Sequence, residues 1–322
     1  MKTIGLIFSP EKKQTIAQLE RDPHGQIQAK TTTTAIKEAL ESKGYLVKMI
    51  PASTNLLKDI ENNKPMDALF NICTGINNKR EQANVIGMLE LQDIPFLGSP
   101  LNTQILALHK SQTKTMFNSV GIPNPHFQVF LTGQETLDPT LKFPLIVKPE
   151  SEGSSLGITE KSVVHNEEDL YLQVNHILKE FKQLVLVEEY LEGREFTIGL
   201  IGNKNPKILS IMEIKFHHDV IPMQTVQIKA DNAMDRITPA PLLEEQVKFI
   251  QENAIKAYKA LGCQDFARLD ARMDKDENIY FIELNTLPGL QPEYSNYPVM
   301  ATAQDISYED LIDQLTQLTL QK

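Results

Sequence analysis

The feature that most narrows the fold is the alternation of short apolar runs with helix-forming stretches through the first hundred residues. KTIGLIF opens as a strand, YLVKMI supplies a second and ALFNIC a third; a helix is expected over Thr31–Lys43, capped by Gly44, and another in VIGMLELQ. Strands that recur only after a helix point to parallel pairing, because a parallel neighbour is reached by a crossover and not by a tight turn. Residues 9–30 are polar and irregular and are expected as a long loop, and IPFLGS as an extended segment.

Beyond residue 100 the pattern changes. Residues 103–119 are expected as one helix, stopped by Gly121, Pro123 and Pro125. HFQVF and FPLIVK are strands, EEDLYLQVNHILKEF is an amphipathic helix, and LVLVEEY, REFTIGLIG and KILSIMEIKF are further strands, the last two a hairpin around NKNP. Val247, Ile250, Ala254, Tyr258 and Leu261 recur at helical spacing. DFARLDARMD and NIYFIELN alternate on either side of KDE as a second hairpin, and SYEDLIDQLTQLTL closes the chain as a helix capped by Ser307. No internal repeat is visible.

With 322 residues, 41% of them hydrophobic, the chain can bury several cores. Lys plus Arg number 32 against 42 Asp plus Glu, a formal charge of −10, which argues against nucleic acid as a partner while leaving room for a nucleotide ligand held by a local cationic cluster. Cys73 and Cys263 lie in apolar segments without CxxC spacing, so buried free thiols are expected in place of a disulfide or zinc site. No run approaches the ~18 apolar residues of a membrane span. MKTIGLIFSP is too short for a signal peptide, so a cytoplasmic protein without membrane contact is expected.

Three features carry chemistry. In ARLDARMD, Arg268 and Asp270 share a strand face, as do Glu283 and Asn285 in FIELNTLPG, so pairing these strands would gather two carboxylates, an amide oxygen and a guanidinium. Oxygen ligands of this kind suit Mg²⁺, and solvated positions on an open sheet face would read the same way. In KPESEGSSLGI, Lys148 ends an apolar strand and the Ser/Gly loop could turn backbone N–H groups toward an anion, or be a plain flexible turn; neither GxxxxGK[ST] nor GxGxxG occurs. In LVLVEEYLEGREF, Glu188 and Glu189 follow a buried-looking strand and Glu195 lies beyond a glycine, either a nucleoside-reading passage or a charged loop.

In this order the three features resemble the ATP-grasp superfamily, and in particular the D-alanine–D-alanine ligase family. The resemblance runs from IGMLELQDIPFLGSP to the final helix, carried by PLIVKPESEGSSLGI, VLVEEYLEGREFTIGLIG and ARLDARMDKDENIYFIELNTLPGL. It implies a mixed α/β and α+β molecule: a parallel α/β pre-ATP-grasp domain at 1–100, a central ATP-grasp subdomain with the Gly/Ser loop at 101–187, and a C-terminal subdomain with the Mg²⁺ site at 188–322. It further implies ATP, two Mg²⁺ ions (Mn²⁺ as a substitute), small amino-acid or carboxylate substrates and an acyl-phosphate route to an amide or peptide bond. A homodimer is compatible with it.

By the same resemblance Lys110 and Lys148 hold ATP phosphates, Glu188 the adenine amino group, the Glu189–Tyr190–Leu191 backbone the adenine edge, and Glu195 the ribose. Asp270, Glu283 and Asn285 match metal ligands; Arg268 and the Gly289 N–H match stabilisers of the tetrahedral intermediate. Ser154 is retained, Lys229 matches a mobile-loop lysine loosely, and Ser295 is the carboxylate-facing hydroxyl. His109 replaces an aspartate. The acceptor half departs: FSPEKKQTIAQLERDPHG stands for a glycine-rich motif with a substrate-binding glutamate, and CTGINNKREQA for His-Gly followed by Gly-Glu-Asp-Gly, with Thr74, Gly75 and Glu81 the nearest matches. The leading expectation is therefore a ligase whose substrates are not two D-alanines. The alternatives are a D-alanine–D-alanine ligase of cell-wall synthesis, a carboxylate–thiol ligase loading a carrier protein, and a non-catalytic nucleotide-binding regulator. His217-His218-Asp219 is not expected to bind metal, since adjacent histidines rarely share an ion.

Overall fold

The structure is a computed structural model that describes residues 1–10, 25–76, 82–153, 155–217 and 233–322. β1 (Thr3–Phe8), β2 (Leu46–Pro51) and β3 (Ala68–Asn71) form a parallel sheet in the order β2-β1-β3, in register Ile4 to Val47 and Ile4 to Ala68. The crossovers are α1 (Gly25–Ser42) and α2 (Leu56–Asn62). α1 begins inside the stretch expected as loop, and Gly44, at φ +83°, follows its end as expected. α2 escaped the pattern because only Leu56 and Ile60, one turn apart, are buried. After α3 (Gln82–Glu90), IPFLGS contributes a single bridge from Phe96 to Leu69.

The helix expected over 103–119 is two helices, α4 (Leu101–Leu108) and α5 (Lys110–Ser119), separated by His109 in an extended conformation at φ −88°, ψ 101°. The Thr113 hydroxyl donates to the Leu106 carbonyl at 2.7 Å, taking an acceptor at the end of α4 and helping to hold the break.

β4 (Phe127–Phe130), β5 (Leu145–Pro149), β6 (Val163–Val164) and β7 (Val185–Glu189) make an antiparallel sheet ordered β4-β7-β5-β6. α6 (Glu167–Phe181) buries Leu170, Val174 and Ile177 against it and is capped by the Asn166 side chain, which accepts from Asp169 N at 2.9 Å. The third sheet runs β10-β9-β8-β11-β12, from β8 (Glu195–Ile201), β9 (Lys207–Phe216), β10 (Met234–Ile237), β11 (Phe266–Met273) and β12 (Ile279–Asn285). α7 (Glu244–Ala260) packs Ile250, Ala254, Ala257 and Tyr258 on one face of it, against Phe196, Ile198, Ala267 and Leu269.

α8 (Asn296–Thr302) and α9 (Tyr308–Leu320) end the chain, and Ser307 caps α9 by accepting from Asp310 N at 3.1 Å. Leu311, Ile312 and Leu315 of α9 share a core with Ile36, Leu40 and Phe70, and Tyr45 donates to Asp313 at 2.5 Å, so the last helix packs on the first sheet. Cys73 and Cys263 are free and buried. No described helix is long and apolar enough to cross a membrane.

Candidate active site

The β11–β12 hairpin sets Arg268 opposite Asn285 and Asp270 opposite Glu283. A β-bulge between Asp270 and Ala271 makes this possible: Ile279 and Phe281 are buried, Ile282 is the extra residue, and burial resumes at Leu284, so Glu283 turns away from the core. Asp270 is held from three sides. Its Oδ1 accepts from Arg268 Nε at 3.0 Å and Thr197 Oγ1 at 2.6 Å, and its Oδ2 from Arg268 Nη2 at 2.8 Å and Asn285 Nδ2 at 3.0 Å. Burial opposes the charge on Arg268, but the paired Asp270 prevails and raises its pKa. With the Asn285 nitrogen given to Asp270, its Oδ1 remains as an acceptor for a ligand.

Two carboxylates and an amide oxygen on adjacent strands form a hard, oxygen-only donor set. It fits Mg²⁺, which takes few protein ligands and fills its octahedron with phosphate and water oxygens. Among the described residues no group of three or more His, Cys, Asp or Glu gathers as an all-protein metal cage.

The cationic half of the site comes from the second sheet. Lys148, at the end of β5, donates to Glu188 on β7, and Lys114 on α5 lies 2.7 Å from the other oxygen of Glu188. All three are essentially buried. Burial alone would raise the Glu188 pKa, but the two lysines overcome it and hold the carboxyl at about 2. Burial lowers the Lys114 pKa, against the pull of Glu188. Lys110, the first residue of α5, donates to the Glu152 carbonyl in the Ser/Gly loop and stands 3.7 Å from Glu283 Oε2. It is the direct link between the lysine cluster and the carboxylate hairpin.

At the end of β7 the Glu189 and Tyr190 amides donate to His126 O at 3.1 Å and Pro144 O at 3.0 Å, and among the described residues none accepts from the Leu191 N–H. Glu195 faces Arg272 across the β8–β11 pair at 3.4 Å, and Arg272 also reaches the Tyr190 hydroxyl at 3.2 Å with its guanidinium 4.9 Å from that ring's centroid. A Cβ on Gly193 would lie 2.6 Å from Asp274 O, so only glycine lets this passage rest on the end of β11. Gly289 approaches Ser295 equally closely: a Cβ there would lie 2.7 Å from Ser295 Oγ, which accepts from Gln291 N at 3.1 Å.

The structure thus brings together Lys110, Lys148, Glu188, Arg268, Asp270, Glu283 and Asn285, places Glu189, Tyr190, Leu191 and Glu195 along the exit from β7, and sets Gly289 against Ser295. Ser154, Lys229 and Glu81 lie outside the described residues, as do His218 and Asp219. Four participants were missed from sequence. Lys114 is four residues after Lys110, on the same face of α5; Arg272 continues the Arg268–Asp270 alternation and could have been found by it. Thr197, which donates to Asp270 on the neighbouring strand, and Glu150, whose carboxyl meets His109 and Ser111 at the start of α5, carry no comparable signal, because their partners come from distant parts of the chain.

A lysine-lined sheet facing a carboxylate hairpin, each on its own antiparallel sheet, is the arrangement of an ATP-grasp ligase. Comparison with known proteins gives the family. A family model described as D-ala D-ala ligase C-terminus matches residues 116–317. The D-alanine–D-alanine ligase of Carboxydothermus hydrogenoformans is 34% identical over 300 residues, covering 90% of this chain and 93% of that protein. The crystal structure of D-alanine–D-alanine ligase from Bacillus anthracis complexed with ATP superimposes with a TM-score of 0.77 at 24% identity, covering 100% of this chain and 98% of that one. VanG D-Ala:D-Ser ligase from Enterococcus faecalis gives 0.78 at 22% identity, covering 99% of each chain. The two structures share the ATP-grasp fold with this protein. The chain belongs to the D-alanine–D-alanine ligase family and is an ATP-dependent carboxylate–amine ligase.

Proposed function

We propose that the enzyme joins a carboxylate and an amine that are not both D-alanine. The observation that supports this lies at the carboxyl edge of the parallel sheet, where open α/β sheets bind ligands. There Ser9 Oγ sits 3.3 Å from Cys73 Sγ and donates to Gly75 O at 3.3 Å, and Asn71 accepts from Cys73 N at 3.1 Å. Beside it Gln82, Gln104 and Thr286 bond to one another, with Thr286 donating to Gln104 at 2.6 Å. Ser9, Asn71, Cys73, Thr74, Gly75 and Gln82, the described residues at this edge, are all uncharged, so an α-ammonium brought here meets no carboxylate from them.

The reaction uses the residues as follows. A substrate carboxylate oxygen attacks the γ-phosphorus of ATP, the bond to the β-phosphate oxygen breaks, and ADP leaves. Lys110 and Lys148 lie where they would offset phosphate charge as the group moves. Mg²⁺ held by Asp270, Glu283 and Asn285 would supply charge neutralisation on the phosphates. The amine nitrogen then attacks the acyl carbon and loses a proton, Arg268 and the Gly289 N–H face the oxyanion, and inorganic phosphate departs. The Ser151–Gly157 loop, anchored through Glu152 to Lys110, is suited to keep water from the acyl phosphate. Glu188 holds Lys148 in place and offers a carboxylate to the adenine amino group, while Leu191 N–H offers a donor to the ring edge and Glu195 a carboxylate to the ribose.

The division into units at 1–100, 101–187 and 188–322 is supported by each sheet falling within one of these stretches, except that β7 runs on to Glu189. The lack of a nucleic-acid partner is supported by the formal charge of −10, and a cytoplasmic setting and a homodimer belong to the same proposal.

Two outcomes are expected. Lys148→Ala should raise the KM for ATP by about 30-fold or more, since removing one charge from a buried pair costs at least ~2 kcal/mol; unchanged nucleotide affinity by calorimetry would leave Lys148 a structural residue. D-alanine alone should stimulate phosphate release poorly, by about 10²-fold less than a preferred pair, because an ammonium buried without its counter-ion costs several kcal/mol. The assay is coupled phosphate release across donor and acceptor pairs, with D-alanine titrated to saturation and products identified by mass spectrometry. Efficient D-alanyl-D-alanine formation would return the enzyme to the activity of its named relatives.

A further inference from the structure

Residues 109–111 are fastened to the first residues of the Ser/Gly loop by one buried side chain. Glu150 follows β5 directly and is 1% exposed. Its Oε2 lies 2.8 Å from His109 Nδ1; its Oε1 accepts from Ser111 N at 3.1 Å and Ser111 Oγ at 2.6 Å. Its carbonyl accepts from Lys110 N at 3.3 Å and its own N–H donates to Leu184 O at 3.0 Å. Among the described residues no lysine or arginine pairs with it. The His109 Nδ1–Glu150 Oε2 contact holds one hydrogen between an imidazole nitrogen and a carboxyl oxygen. The break between α4 and α5 falls on the same histidine, and it is the break that lets Lys110 begin a helix while its side chain reaches the loop at Glu152 and approaches Glu283.

We infer that His109 and Glu150 are a positioning pair that presets Lys110 for the nucleotide phosphates, an assignment that rests on the reading of Lys110 as a phosphate ligand. Through the pair and the neighbouring Ser111 and Lys110 N–H, Glu150 ties the helix start to the loop start by four contacts, three to its side chain and one to its carbonyl, so Lys110 is already ordered before ATP arrives. Released from Glu150, residues 109–111 and the loop would each have to be ordered on binding, and that cost falls on nucleotide affinity more than on the chemical step. The pairing also carries a sign. An aspartate at 109, the residue the family resemblance leads one to expect, would face a buried carboxylate at hydrogen-bond distance, so Glu150 calls for a hydrogen-bond donor at position 109.

The test is steady-state phosphate release with ATP varied, alongside thermal melts. His109→Asn keeps a donor near the Nδ1 position and should leave the KM for ATP within about threefold of wild type. His109→Asp should raise that KM by about 100-fold while kcat stays within a few-fold, because two facing carboxylates cannot both ionise without penalty. Adding Glu150→Gln to His109→Asp supplies an amide donor and should recover at least about tenfold of the loss. A KM unchanged in His109→Asp, or a loss that the double variant does not recover, overturns the inference. If His109→Asp does not fold, Glu150→Ala decides: a KM for ATP raised about tenfold or more supports the pair, and an unchanged one overturns it. Lys110→Met separates the two levels. If it leaves the KM for ATP unchanged, the reading of Lys110 has failed; if it raises it while the His109 and Glu150 variants do not, only the positioning pair has failed.

Discussion

Glu188→Gln should destabilise the fold by about 3–5 kcal/mol, the usual consequence of removing one member of a buried ion pair. Glu188 is the shared counter-ion of Lys114 and Lys148, both buried, and an amide in its place leaves two ammonium groups out of water with no compensating charge. The effect has a pH signature. The Glu188 carboxyl is held at about 2 in the folded protein against an ordinary 4.5, so the unfolded chain binds the proton more readily. The stability it contributes is therefore complete above the unfolded value and is lost as pH falls from about 4.5 toward 2. Denaturant titrations at pH 7 should show the loss, and in melts between pH 2 and 5 this acid-sensitive component should be absent from the variant. Lys114→Met in the same background should recover part of the stability by removing one stranded charge. A Glu188→Gln protein as stable as wild type at pH 7 would mean that the three groups are not coupled as described.

Glu283→Gln should lower kcat by about 10³-fold with little change in melting temperature, a loss of the size that follows removal of one electrostatic contact to a transferring group. Glu283 is partly open to solvent, and its place on the site face comes from backbone geometry, so an amide fits without disturbing the hairpin. The variant has one charge fewer with which to hold Mg²⁺, and the Mg²⁺ concentration at half-maximal activity should rise. Phosphate release measured across a Mg²⁺ titration, with circular dichroism to verify the fold, tests both parts. Wild-type turnover at limiting Mg²⁺ would remove Glu283 from the metal site.

Much of the architecture was legible because hydrophobic periodicity is local. The helix over Glu167–Phe181 and the pairing of FARLDARM with IYFIELN appear where the pattern puts them, since burying one face of a helix or strand needs only the right residue spacing. The failures were of a different kind. Residues 103–119 read as one helix because nothing in LNTQILALHKSQTKTMFNS breaks a helical pattern; the break at His109 accompanies a carboxylate from Glu150, forty-one positions further along the chain. Glu283 was expected on the site face by counting from Asn285, which is correct. Counting from Ile279 and Phe281 would have put it in the core, and only the bulge at Ile282 reconciles the two.

By itself the sequence determined the parallel layer of the first hundred residues, the β11–β12 hairpin and the family, and it marked the residues proposed to bind a nucleotide and Mg²⁺, because these depend on residue type and on spacings within single elements. The tertiary structure alone decided that Glu188 is gripped by two lysines, that Lys110 spans from the loop to Glu283, that Arg272 meets Glu195 and that Glu150 meets His109. The reason is physical. Burial makes a charge depend on partners that distant parts of the chain must deliver, and no local pattern records where those partners will be.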